Sequence, residues 1–176
     1  DVNAQTGDDP AVMSAARRAL DFLVASQNNH GAWPYDFSTK PYGHHSTIND
    51  DLTTSHLRAL QRGYDLWADP AYRLAVQKGV EFLLQTQLPQ GGWAQQYDED
   101  LKPVGARTFE PAAAASIETA QVLRTLIGLD RRHPDPRITE SIRRAAAWLD
   151  AAQISQGRWA RFYDLASGQP VYADRH

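Results

Sequence analysis

The residues of this chain best equipped for chemistry fall in a few short runs. Asn49-Asp50-Asp51 sets two adjacent carboxylates beside an amide, the hard oxygen donors that Ca2+ takes, and Asp98 offers another carboxylate from a second loop. The plain structural reading of Asp50-Asp51 is a helix N-cap in a favourable dipole, and the two roles are compatible. His44 and His45, just upstream, are able to ligate a metal or donate to an anionic substrate. Loop histidines are also commonplace without any such role, and no His-Glu-x-x-His spacing accompanies these two. Arg107, Arg161 and Arg175 are guanidinium forks of the kind that grip carboxylates in two-pronged hydrogen bonds. For Arg107, close to Glu110, the plain reading is a surface ion pair of ~0–1 kcal/mol.

What must position these groups is a phrase, Gln-x-x-x-Gly-x-Trp, that occurs three times: Gln27, Gly31 and Trp33; Gln87, Gly91 and Trp93; Gln153, Gly157 and Trp159. Each copy follows an aromatic-Leu pair (Phe22-Leu23, Phe82-Leu83, Trp148-Leu149) and leads into a Tyr-Asp pair (Tyr35-Asp36, Tyr97-Asp98, Tyr163-Asp164). Self-similarity of this length marks a repeat architecture. Apolar residues at helical spacing precede each copy, such as Val76, Val80, Leu83 and Leu84, so the phrase reads as a helix exit. The Gly stops the helix, and the Trp folds back over its end. Sugar stacking by the three tryptophans is the minority reading beside this structural one.

Composition is that of an ordinary globular chain: 176 residues, 42% hydrophobic, net charge −3. The charge gives no support for nucleic-acid binding. Without cysteine there is neither a disulfide, a thiol nucleophile nor a Cys-ligated zinc site. No stretch approaches the roughly 18 consecutive apolar residues of a membrane span, and no signal peptide opens the chain. Residues 1–9 are expected to be unstructured and 10–176 to form one domain, a monomer.

In chain order the expected helices cover Ala11 to Ser26, Asp50 to Trp67, Pro70 to Thr86, Pro111 to Gly128 and Arg137 to Ala152. The Ala112 to Ala115 run supplies strong propensity to the fourth, and Ile117, Leu123, Leu126 and Ile127 its apolar side. After Trp159, Arg161-Phe162-Tyr163-Asp164 and Val171-Tyr172 flank a turn and predict a short β-hairpin. The fold class expected is all-α, helical hairpins around a common axis with the third pair incomplete. All three glycine exits then fall at one end. That mouth gathers Asp36, His44, His45, Asp50, Asp51, Asp98, Arg107, Arg161 and Arg175.

Four phrases in this order, His45-Ser46-Thr47-Ile48-Asn49-Asp50-Asp51, Trp93-Ala94-Gln95-Gln96-Tyr97-Asp98, Gly105-Ala106-Arg107-Thr108-Phe109-Glu110-Pro111 and Trp159-Ala160-Arg161-Phe162-Tyr163-Asp164, resemble the pectate lyases of polysaccharide lyase family 10. The resemblance implies an (α/α)3 toroid, Ca2+-dependent β-elimination on polygalacturonate or pectin, an arginine base, and a secreted or periplasmic location. Carried over by residue, it implies Ca2+ ligands at Asp50, Asp51 and Asp98, a base at Arg107, and substrate contacts from Arg161, Arg175, His44, His45 and Asn49. Members of the family continue past an Asp-Arg-Asp-Gly phrase, where this chain has Asp174-Arg175-His176.

Such chemistry uses residues of these types for a reason. Removing the C5 proton of a galacturonate spreads charge into its carboxylate, and a cation there stabilises it. Free arginine holds its proton above pH ~12, so a base must be desolvated and crowded by cations. Two other readings compete: a carbohydrate-binding scaffold that kept the fold and lost the chemistry, and a class II terpene cyclase, which also repeats Gln-x-x-x-Gly-x-Trp. The cyclase acid motif Asp-x-Asp-Asp does not fit here, since Ile48 occupies its first position.

Overall fold

The computed structural model describes residues 9–35 and 41–172. Asp36, Arg175 and residues 1–8 of the segment expected to be unstructured lie outside the described residues. Five α-helices are described: α1 (Pro10–Ser26), α2 (Leu52–Trp67), α3 (Pro70–Thr86), α4 (Ser116–Asp130) and α5 (Pro136–Ala151). Three start on an Asp-Pro step. Asp9, Asp69 and Asp135 each accept a hydrogen bond from the backbone N–H two residues on, and the proline at the first helical position lacks the N–H that would otherwise be orphaned.

The helices form two layers. α1, α3 and α5 lie side by side, and α2 and α4 pack against them as a second layer. Between the layers Leu57, Leu60, Phe82, Leu83, Val122 and Leu126 are fully buried, so the apolar stripes do meet in one core.

Each repeated phrase closes its helix in the same way. The indole Nε1 of Trp33 donates to Leu23 O at 2.8 Å, that of Trp93 to Leu83 O at 2.8 Å, and that of Trp159 to Leu149 O at 2.6 Å. A carbonyl left orphaned in the last helical turn is thereby satisfied. The glycines have positive φ, +88°, +114° and +70° for Gly31, Gly91 and Gly157, a region that side chains avoid. Tyrosines lock the loops that follow: Tyr97 Oη accepts from Ala94 N and donates to Thr86 O, and Tyr163 Oη does the same with Ala160 N and Ala152 O.

The expectation of an all-α (α/α)3 toroid is overturned by three small antiparallel sheets; helix takes 55% and strand 13% of the structure. One sheet joins β1 (Ser46–Thr47), β3 (Gln96–Tyr97) and β4 (Pro103–Val104) in the order β1-β3-β4. A second joins β2 (Trp93–Ala94), β5 (Ala114–Ala115), β8 (Phe162–Tyr163) and β9 (Pro170–Val171) in the order β2-β5-β8-β9. The third pairs β6 (Gln153–Ser155) with β7 (Arg158–Trp159). In the second sheet Trp93 pairs with Ala115, Ala115 with Phe162 and Phe162 with Val171, so one ladder ties the second and third Trp loops to the start of α4. The first loop is tied in by the bridge of Pro34 to Ser46 and the pairing of Ser46 with Tyr97.

These sheets also correct the fourth helix. It starts at Ser116, not Pro111, because Ala114–Ala115 lies between two strands whose backbone groups take its hydrogen bonds. Tertiary pairing overrides alanine propensity here. Ile117, expected on the buried side, is half exposed. No helix among the described residues is long and apolar enough to cross a membrane.

Candidate functional site

A pocket that gathers three of the singled-out residues lies between the 3-10 turn Asn49–Asp51 and the loop that carries Arg107. It encloses about 230 Å3 and is lined by Tyr35, Tyr42, Asn49, Asp50, Gln96, Ala106, Arg107 and Glu110. The turn is unusual in its backbone. Asp50 and Asp51 have φ of 55° and 61°, consecutive non-glycine residues in the left-handed region. Such conformations persist only where the surroundings hold them, and they cluster at functional sites.

The surroundings of Asp51 are visible. Its carboxylate accepts two bonds from the Arg58 guanidinium, one from Nη1 at 3.1 Å and one from Nη2, and a third from Thr54 Oγ1. Arg124 Nη2 lies 3.9 Å away. Burial pushes this carboxyl up, but the bonds from Arg58 and Thr54 outweigh it and hold the group below the usual carboxylate range. Although Asp51 occupies the N-cap position of α2, its side chain makes no cap bond. It serves as an anchor facing α2 and α4. Asp50 is exposed and lines the pocket.

Arg107 and Glu110 form a two-pronged ion pair across the pocket's other wall. Arg107 Nε donates to Glu110 Oε2 at 2.7 Å and Nη2 to Oε1, and the guanidinium sits 4.7 Å over the Phe109 ring. Glu110 is 2% exposed and the Arg107 side chain 47%, so the surface pair that loop position suggested has one buried member. The hydrogen bonds to Glu110 raise the pKa of Arg107, and those from Arg107 lower that of Glu110. Each partner thus favours the charged form of the other.

The remaining expected residues are dispersed. Asp98 Oδ1 accepts from the backbone N–H groups of Asp100 and Lys102 at 2.9 Å, which folds the turn after β3 and leaves the residue out of the pocket lining. His44 is exposed at the end of the 3-10 helix Pro41–His44; His45 is half-buried, with Nδ1 unpartnered among the described residues. Neither lines the pocket. Arg161 lies 5.2 Å over the Phe162 ring and lines a separate groove with Ile117, Leu149 and Trp159, although its charge still acts on Glu110 and Glu118. Of the expected site residues the pocket therefore unites Asn49, Asp50 and Arg107.

Among the described residues no three His, Cys, Asp or Glu side chains converge as a metal cluster. Of the two carboxylates in the pocket lining, Glu110 has both oxygens engaged by Arg107, so Asp50 is the one turned to a cation, with the remaining donors left to a ligand. Glu110, Gln96 and the two tyrosines were not singled out for the site. Glu110 was visible three residues after Arg107, but its burial was not.

Residues 3–158 match the family profile described as pectic acid lyase. A family 10 polysaccharide lyase from Cellvibrio cellulosa, solved as an Asp-to-Ala mutant in complex with trigalacturonic acid, superposes with a TM-score of 0.83 at 27% identity, over 97% of this chain and 64% of that one. Squalene–hopene cyclase of Zymomonas mobilis is 26% identical over 88% of this chain and 20% of its own length, and lanosterol synthase of Candida albicans 29% over 80% and 17%. The chain thus spans about a fifth of the curated relatives it matches and under two thirds of the lyase. With the profile covering most of its length, and the lyase fold reproduced at that score, the chain belongs to the pectic acid lyase family.

Proposed function

We propose that the protein is a pectate lyase that cleaves α-1,4-polygalacturonate by β-elimination. One observation carries the reading: a single pocket combines Asn49-Asp50 with Arg107-Glu110, drawn from two of the phrases that resemble the family. The pocket is polar and charged, which suits a uronate and not the hydrocarbon substrate of a cyclase. In the reaction the C5 proton leaves, the electron pair forms a C4–C5 double bond, and the C4–O glycosidic bond breaks. Asp50, joined by Glu110 once it parts from Arg107, would hold Ca2+, which when bound would supply Lewis-acid stabilisation of the substrate carboxylate. Asn49 offers an amide to the same substrate. Arg161 and Arg175 grip neighbouring uronates, and extracellular polymer implies a secreted or periplasmic enzyme.

Arg107 is the proposed base, and its pairing sets a condition on that role. Glu110 raises its pKa, the opposite of what a proton acceptor needs, so Glu110 must disengage before Arg107 accepts the C5 proton. If it never does, Arg107 serves only to bind, and a carbohydrate-binding scaffold becomes the second reading. Kinetics separate the two. Loss of a general base costs about 10²- to 10⁴-fold, so Arg107→Ala is expected to lower kcat by that much with KM little changed, and Arg107→Lys to rescue poorly. A raised KM at near-normal kcat assigns the base elsewhere. Asp50→Ala is expected to abolish Ca2+-dependent cleavage; full activity in that variant contradicts the metal assignment.

A further inference from the structure

Behind the pocket lies a group of polar side chains with no role so far: Gln95 and Glu118, 2% and 1% exposed, packed against buried Asn49. Gln95 Nε2 is 2.9 Å from Asn49 Oδ1 and 2.8 Å from Glu118 Oε1, so one amide nitrogen serves two acceptors and both its protons are used. The backbone carbonyl of Gln95 also accepts from Ile48 N at 2.9 Å and Asn49 N at 3.1 Å. Gln95 thus holds the start of the 3-10 turn through both its backbone and its side chain. The turn needs holding, because Asp50 and Asp51 both occupy the left-handed region. Arg58 and Thr54 fix its far end through Asp51, and Gln95 fixes its near end.

Glu118 fixes Gln95 in turn. α4 supplies it from a buried position in its first turn, beside the ladder in which β5 pairs with β2. Its Oε2 and Gln95 Oε1 have no hydrogen-bond partner among the described residues. An ionised carboxylate with so few donors is costly in the interior, and burial pushes the pKa of Glu118 up against the lowering effect of the bonds from Gln95 and its own backbone N–H and of the Arg161 charge, with Asp50 adding to the rise. A neutral carboxyl still accepts the bond from Gln95.

We propose that Glu118 and Gln95 are positioning residues, a sealed relay that fixes the Asn49-Asp50-Asp51 turn and so presents the Asn49 amide and the Asp50 carboxylate to a uronate in the pocket. This rests on the uronate reading above. It predicts that the chemistry of the Glu118 side chain, not merely its volume, tunes substrate affinity from behind the wall.

The test is calorimetric titration of trigalacturonate, with Ca2+ present, into wild type, Glu118→Gln, Glu118→Met and Gln95→Met, with the unfolding midpoint of each. Glu118→Gln keeps an acceptor and is expected to bind within about 2-fold of wild type. Glu118→Met and Gln95→Met remove the acceptor or the donor and are expected to weaken binding about 5- to 20-fold. Lower midpoints with unchanged affinity mean a merely structural role and overturn the proposal. Hydrogen exchange at the Gln95 side-chain amide of wild type tests the relay without any variant: slow exchange of both protons supports it, and rapid exchange overturns it. A wild type that binds no trigalacturonate while that amide is protected overturns the uronate reading, and with it the purpose given to the relay.

Discussion

The first two copies of the repeated phrase and the third share a sequence but not an environment. Trp33 and Trp93 are 2% and 0% exposed, whereas Trp159 is 41% exposed. The difference arises from the neighbour. Gln27 Nε2 bonds to Gly31 O in its own loop and to Ala75 O of α3, and Gln87 Nε2 to Gly91 O and to Ser141 O of α5. Among the described residues the Gln153 side chain reaches Asp150 and Gly157, within its own unit. In the same way Thr53 and Thr119, at the starts of α2 and α4, receive the backbone N–H of Trp33 and Trp93. The bond from the indole to the preceding helix is common to all three copies, so it belongs to the phrase itself. Burial, and the requirement for close backbone approach, come from the next helix.

That comparison is open to breakage at several points. Trp93→Ala is expected to cost about 3–5 kcal/mol, the range for a large aromatic lost from a core. Trp159→Ala should cost about 1 kcal/mol, and equal losses in chemical denaturation would contradict the account. Glycine sharpens it next. A Cβ at Gly31 or Gly91 would run into Lys78 O or Arg144 O, while at Gly157 it would meet nothing within 4 Å among the described residues. Gly91→Ala therefore adds a backbone clash to a conformational penalty, about 2–4 kcal/mol together, and Gly157→Ala leaves only the penalty, about 1 kcal/mol. Gln87→Ala, which loses its bond to the next helix, should destabilise by about 1–2 kcal/mol against less than about 0.5 for Gln153→Ala.

The smallest effect is one of pH, and it belongs to the covered half of the molecule. The folded pKa of Glu118 is raised above its unfolded value by burial. The stability that goes with its neutral form is therefore complete below the unfolded pKa and is lost as pH rises through the folded one. Glu118→Gln should flatten that part of the stability profile. The Arg107–Glu110 pair acts oppositely: the Glu110 carboxyl is lowered by Arg107, so its contribution is present above the unfolded pKa and is lost as pH falls through the folded value.

The sequence was most legible where local chemistry decides. Asp69-Pro70 and Gln87-Gly91 bounded a helix now found at Pro70–Thr86, because a cap, a proline and a left-handed glycine act within a few residues. The terminal hairpin was legible from its turn and is found as β8 paired with β9, whereas Ala114–Ala115 has no alternation to read and is a strand because β2 and β8 flank it. The candidate site divided along the same line. Asn49, Asp50 and Arg107 were legible as loop polar residues and do meet in one pocket. Asp51 and Asp98 were equally conspicuous, yet one is bound by Arg58 and the other by the backbone of its own turn. Burial of Glu110, Gln95 and Glu118 is set by long-range packing that a single sequence does not display.

The most direct measurement of the central claim is the ultraviolet absorbance of unsaturated uronate during incubation with polygalacturonate, with Ca2+ and with chelator. A steady rise with Ca2+ that stops on chelation and is lost in Asp50→Ala is the expected result. Chain cleavage without the unsaturated product, or binding of trigalacturonate with no cleavage at any Ca2+ concentration, would contradict it.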